Sequence, residues 1–240
     1  RADADLPDGA HVIDGTGKYV MPGIIDTNVH MSPITGSAVG ELTFARYWDR
    51  LDDVILHGVQ LQLKHGVTTV RDSYGTLLPL MAVRDAIAAG EKVGPRMYVA
   101  GNILGWEGPS VRRFGLRSEL TFFQEQVDDF FTLGTFEELL NMTPDELRVA
   151  INTYLDRGPD FIKYNGTSHS FPALISFSPR AQRVIVEETH KRGLIAETHS
   201  TSLEGLRLSL QAGIDLVQHP EAVGRRELTD ELVELIVEKV

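Results

Sequence analysis

The feature that most constrains this chain is a rhythm. Short apolar runs alternate with amphipathic stretches along nearly its whole length. The runs Tyr19–Asp26, Val67–Arg71, Arg96–Ala100, Phe161–Tyr164, Leu194–Thr198 and Asp215–Gln218 read as strands. Helical patterns lie between them at about 41–65, 77–90, 144–157, 179–192, 203–212 and 229–240. Thr143-Pro144-Asp145-Glu146 is a capping box with proline at the first helical position, and Ser178-Pro179 opens the next helix alike. Gly66, Gly90, Gly158, Gly193 and Gly213 each follow a helix, as C-terminal caps do. Repeated βα units make an α/β fold with a parallel sheet and right-handed crossovers. Six units satisfy either a doubly wound sheet or part of a (β/α)8 TIM-like barrel.

The polar residues choose the barrel. Asn28 and His30 close the run Met21-Pro22-Gly23-Ile24-Ile25-Asp26. They lie two apart, so on a strand they point the same way and can grip one metal ion. Lys163, His199 and His219 end later strands. In a barrel such tips converge on one mouth, whereas in an open sheet the first and sixth strands stand far apart. A metal-assisted hydrolase is the leading reading.

The 240 residues suffice for a large core. A net charge of −11 with no basic stripe argues against a nucleic-acid partner. With zero cysteines, a metal must use histidine, carboxylate, amide or modified lysine. No apolar run approaches the roughly 18 residues a spanning helix needs, so no membrane partner is expected, and the absence of cysteine fits the cytoplasm. Arg1 in place of Met and a helical pattern reaching Val240 make the chain read as a segment of a longer polypeptide. Residues 102–142 break the rhythm with Trp106, Arg112, Arg113, Phe114, Phe122, Phe123, Phe130, Phe131 and Phe136. This is a lid-like, partly helical insertion, whose phenylalanines form either an aromatic substrate pocket or the ordinary core of a lid helix.

Four stretches together resemble the metal-dependent amidohydrolase superfamily: VIDGTGKYVMPGIIDTNVH, HGVTTVRDSYG, PDFIKYNG and LIAETHSTSLEGLRLSLQAGIDLVQHP. They look like the entry from a β-sandwich into barrel strand one, strand two, strand four with its lysine, and strands five and six with one histidine each. The resemblance implies residues 1–18 as a remnant of the sandwich domain and 19–240 as a partial barrel. The family pattern at strand one is His-x-His. Asn28-Val29-His30 departs from it and resembles a subgroup that includes hydrolases of phenylurea and thiocarbamate (molinate) herbicides.

The resemblance implies metal ligation by Asn28, His30, Lys163, His199 and His219. An amide oxygen is a weaker zinc ligand than imidazole, so one divalent ion, zinc before cobalt, manganese or iron, is expected rather than two. Asn28 otherwise hydrogen-bonds a ligand. Lys163 is carboxylated, as in relatives, or stays an amine that donates to substrate. His169 polarises the scissile carbonyl or lines the pocket, unless it is a surface loop residue. Arg71 and Asp72 read as an ion pair supporting the barrel mouth. His11, His57, His65 and His190 read as non-catalytic.

The implied reaction is attack of an activated water on an amide, urea, carbamate or thiocarbamate of a small-molecule substrate. The last barrel strands and a catalytic aspartate are expected in the remainder of the same polypeptide, and a homo-oligomer is expected. Competing readings are an Xaa-Arg dipeptidase, an imidazolonepropionase-like enzyme or a deaminase, and a non-catalytic, metal-free barrel.

Overall fold

The computed structural model describes residues 5–32, 46–106, 121–168, 174–219 and 227–239. Its elements run β1 (Ile24–Val29), α1 (Leu51–Lys64), β2 (Val67–Asp72), α2 (Leu77–Ala88) and β3 (Arg96–Val99). They continue with α3 (Phe122–Thr132), α4 (Pro144–Leu155), β4 (Ile162–Asn165), α5 (Pro179–Lys191), β5 (Ala196–His199), α6 (Leu203–Ala212), β6 (Leu216–Gln218) and α7 (Asp230–Lys239). The expected βα alternation is present. β1 starts later than the apolar run: its pairing begins where the Ile24 N–H donates to Gly66 O, and Pro22 has no N–H to offer. It also runs on through Asn28, placing that residue on the strand itself. The pattern over 41–65 yields α1 preceded by a 3₁₀ turn, Trp48–Arg50, with 33–45 outside the described residues.

Local signals act as the sequence implies. Thr143 and Glu146 form a reciprocal capping box, and Ser178 caps α5. Gly66, Gly90, Gly158, Gly193 and Gly213 all have positive φ, the left-handed conformation that ends a helix at little cost to glycine. In the insertion, Thr121 and Gln124 form a second capping box, which starts α3.

The strands form two parallel three-stranded sheets, β1-β2-β3 and β4-β5-β6. Leu104 joins them: its N–H donates to Lys163 O (2.8 Å), and it accepts from the Asn165 N–H (2.9 Å). A flat six-strand order would hold β1 and β6 roughly 24 Å apart, at about 4.8 Å per step. Instead the Gln218 side chain on β6 donates to Thr27 O on β1 at 3.4 Å. The sheet therefore curls around a closed interior, a partial barrel with helices outside. One apolar cluster runs through both halves, from Val70, Val99 and Leu80 to Ile162, Ile185 and Leu206.

On that helical layer, Glu188 of α5 is nearly buried and accepts from Arg148, Asn152 and Lys191. Burial pushes its carboxyl up, but the Lys191, Asn152 and Arg148 hydrogen bonds outweigh this and hold it down at about 2. A depressed folded-state pKa gives stability that is present above the ordinary 4.5 and lost as pH falls toward 2. Lys191 and Arg148 are 61% and 38% exposed, so screening cuts the contribution to about 1 kcal/mol. Glu188→Gln should lower stability by that amount at pH 7 and converge on wild type near pH 2, as read by denaturant titration at each pH.

Candidate functional site

Side chains that point into the barrel follow from the period of two along each strand. On β4 this sets Lys163 and Asn165 on one face; on β5 it sets Glu197 and His199. The register pairs them: Lys163 faces Glu197, and Asn165 faces His199. β6 adds Gln218 opposite His199. All five are buried.

Lys163 Nζ donates to Asn28 Oδ1 at 3.4 Å, so β1 and β4 meet across the mouth. Burial pushes the Lys163 amine down to about 8, against the pull of Glu197 and Asp72. Asp72 ends β2 and accepts the N–H groups of Met31 (2.6 Å) and Tyr74 (3.3 Å), tying the tip of β1 to that of β2. Burial raises its carboxyl to about 7; those two N–H groups and Lys163 oppose the rise. Two groups of opposite sign, both driven toward neutrality by desolvation, thus flank one cleft.

The expected ion pair between Arg71 and Asp72 does not form. Adjacent strand residues face opposite sides, and Arg71 instead pairs with Glu197 of β5. Glu197 also accepts from Ser73 (3.3 Å) and Gln218 (3.1 Å). Its carboxyl is pushed up by burial despite Arg71 and Lys163. Glu197 and Gln218 are functional candidates that the sequence reading missed; their two- and one-residue offsets from His199 and His219 were the available signal.

The histidines gather around aromatic rings. His199 and His219 have ring centroids 4.7 Å apart. His219 sits at φ 62°, a left-handed conformation that strains a non-glycine residue by about 1–3 kcal/mol and clusters at functional sites. The His199 carbonyl accepts from both Gly166 and Thr167 N–H at 3.0 Å. A Cβ at Gly166 would lie 2.6 Å from Thr198 Oγ1, so only glycine lets the two strand ends close. The Trp106 ring meets His199 edge-on at 4.8 Å, Tyr74 meets Trp106 at 6.3 Å, and His30 meets Tyr74 at 5.6 Å. His30 Nδ1 lies 2.6 Å from Val29 O, a carbonyl that can only accept, so Nδ1 carries a proton. α3 packs Phe131 on Tyr74 at 5.2 Å, with Val127 and Trp106 in the same buried cluster. Phe122 and Phe123 are exposed. In the described part of the insertion, Trp106, Val127 and Phe131 therefore form a packed wall behind two of the histidines. His169, Arg112, Arg113 and Phe114 lie outside the described residues.

Three imidazoles, an amide oxygen and an amine at the tips of β1, β4, β5 and the turn after β6 suit a borderline cation in donor chemistry. His199 and His219 are already in ring contact. His30 reaches them through Tyr74 and Trp106, and among the described residues no three His, Asp or Glu side chains stand close enough to hold an ion.

Residues 19–238 match the model of the amidohydrolase family. No curated protein sequence matches the chain. Among solved structures, molinate hydrolase superposes with a TM-score of 0.89 at 32% identity, over 98% of this chain and 54% of that one. Phenylurea hydrolase B superposes with a TM-score of 0.90 at 32% identity, over 98% of this chain and 55% of that one. A Xaa-Pro dipeptidase with methionine bound in its active site reaches a TM-score of 0.70 over 98% of this chain and 57% of its own; its 19% identity makes this a likeness of fold alone. The chain spans about half the length of these structures. With a family match over nearly its whole length, and with its polar strand tips converging on one mouth, this chain belongs to the amidohydrolase family.

Proposed function

We propose that this chain is part of a metal-dependent hydrolase that cleaves the C–N bond of an amide, urea or carbamate, or a thiocarbamate, in the manner of the phenylurea and molinate hydrolases it resembles. One observation carries the reading: polar tips from distant parts of the chain meet in one mouth, Lys163 with Asn28 at 3.4 Å and His199 with His219 in ring contact. The amidohydrolase family is generally metal-dependent. His199 and His219 would hold the cation, with His30 and Asn28 from β1; one zinc fits this set best, with cobalt, iron or manganese as alternatives, manganese the least suited because it prefers oxygen donors. When bound, the ion supplies an activated water and polarises the scissile carbonyl.

The chain's own groups do the rest. Lys163, its amine brought close to neutrality near pH 8, either donates to the carbonyl oxygen as an amine or takes up carbon dioxide as a carbamate. Asp72 holds Met31, and through it His30, in place. Trp106 and Tyr74 keep water from the sides of His199 and His30. For His169, which lies outside the described residues, the proposed role is to polarise the scissile carbonyl. Ile24 and Ile25 on β1 are 48% and 63% exposed, which supports further strands of the same polypeptide covering them and bringing the catalytic aspartate. Among the described residues no helix is long and apolar enough to cross a membrane.

The test is metal analysis of the full-length protein beside turnover of an aryl urea, a thiocarbamate and a dipeptide. A divalent ion at about one per chain and metal-dependent turnover of the urea or thiocarbamate are expected. Turnover confined to the dipeptide would move the assignment to a peptidase, and a protein without metal or turnover would end it.

A further inference from the structure

Asn165 has no role in the scheme above, yet its position is unusual. It is the last residue of β4, two beyond Lys163 and so on the same inward face. Its register partner is His199. Its main-chain N–H donates to Leu104 O at 2.9 Å, which fixes the backbone. The residue is 7% exposed, and its side-chain Oδ1 is wholly buried with no hydrogen-bond partner among the described residues. Leaving a buried acceptor unpaired is costly, so such groups are rare in native proteins and signal a missing water, ion or ligand. Asn102 offers a contrast. Its Oδ1 is also unpaired, but its amide nitrogen donates to Thr135 Oγ1 at 3.0 Å, which gives that side chain a structural task in the loop after β3. Among the described residues no such contact engages the Asn165 side chain. What it has is a place between Lys163 and His199, at the mouth.

We infer that Asn165 is a specificity-determining residue whose Oδ1 accepts the N–H of the substrate's scissile group. The inference rests on the hydrolase reading and sharpens it. An acceptor at that point selects substrates in which the carbonyl carbon bears an N–H: secondary amides, N-monosubstituted carbamates and ureas with an N-aryl N–H. It selects against fully N,N-disubstituted thiocarbamates, which have no hydrogen to give. A site built around a hydrogen bond rejects analogues that lack it more strongly than an apolar pocket rejects a change in size.

The test uses the full-length protein with two probes, N-phenyl-N′,N′-dimethylurea and its N-methyl-N-phenyl analogue, which differ in that one hydrogen. Calorimetric binding and turnover are both read. Wild type should favour the N–H probe by about tenfold or more. Asn165→Leu, of similar volume, should bring the ratio near one, mainly through KM, with little change for the methylated probe. Asn165→Asp keeps an oxygen acceptor and should keep the preference. A wild-type ratio near one overturns the inference without any variant, as does an Asn165→Leu protein that loses both probes equally. Binding that discriminates without turnover would sustain the role of Asn165 while removing the hydrolase reading. Turnover without discrimination would do the reverse, and failure of both probes to bind would remove both.

Discussion

Replacing His199 with alanine is expected to remove bound metal and hydrolysis together. His199 is 3% exposed, its carbonyl is fixed by two N–H donors, and its ring sits between Trp106 and His219. A ring packed in this way is held where it stands, and alanine removes its nitrogen donors without filling their place. In the proposed scheme, loss of the cation would return the nucleophilic water to its far weaker bulk acidity, so kcat should fall by roughly 10³ or more. At the second position the informative change is His219→Asn. At φ 62° an alanine adds backbone strain, whereas asparagine tolerates the left-handed region and isolates the loss of imidazole. Both variants should retain the wild-type circular dichroism spectrum while mass spectrometry finds less than a tenth of the wild-type metal. His57→Ala, on the exposed face of α1, should match wild type in both measurements. Full activity with normal metal content in the His199 and His219 variants would remove them from the site.

Why some of this site was legible in advance, and some was not, follows from the range of the interactions. Strand ends and helix ends are set within a few residues. Thr143 with Glu146, Ser178 with Pro179 and the helix-ending glycines acted as their local chemistry dictates. Period-two alternation placed Lys163 and His199 on inward faces of neighbouring strands, which is why their proximity could be anticipated. The partner of Arg71 could not be read the same way. Asp72 lies next to it in sequence but faces away, and Glu197 is 126 residues distant. The choice between them depends on the curl of the sheet, which no local pattern records. Asn165 illustrates the same limit: the string Tyr164-Asn165-Gly166 reads as an ordinary strand end, and only the three-dimensional absence of a donor near Oδ1 marks it out.

Arg71→Leu should be the most damaging of these changes for stability. Arg71 pairs directly with Glu197 inside the barrel, and its guanidinium also lies 4.1 Å from the centre of the Phe161 ring. Removing one partner of a buried pair leaves an uncompensated charge, at a cost of about 3–5 kcal/mol. For a domain of this size that is roughly 6–20 °C in Tm. Ser73 and Gln218 still donate to Glu197, and Lys163 still attracts it, so the loss should sit at the lower end of that range. The sign of its pH dependence is fixed. Burial already raises the Glu197 carboxyl above its ordinary 4.5, and loss of Arg71 raises it further. Between 4.5 and the raised value the folded state binds more protons than the unfolded one, so stability falls as pH rises through that window. The Arg71→Leu deficit should therefore be larger at pH 8 than at pH 5. The double variant Arg71→Leu with Glu197→Leu removes both charges and should recover most of the lost stability, because apolar replacement of a whole buried pair is close to neutral. It should also leave Lys163 without its nearest anion on β5 and so lower its amine pKa further, readable as a shift in the rate of amine acylation with pH. A double variant no more stable than Arg71→Leu alone would mean that Glu197 was never held as a buried charge by Arg71.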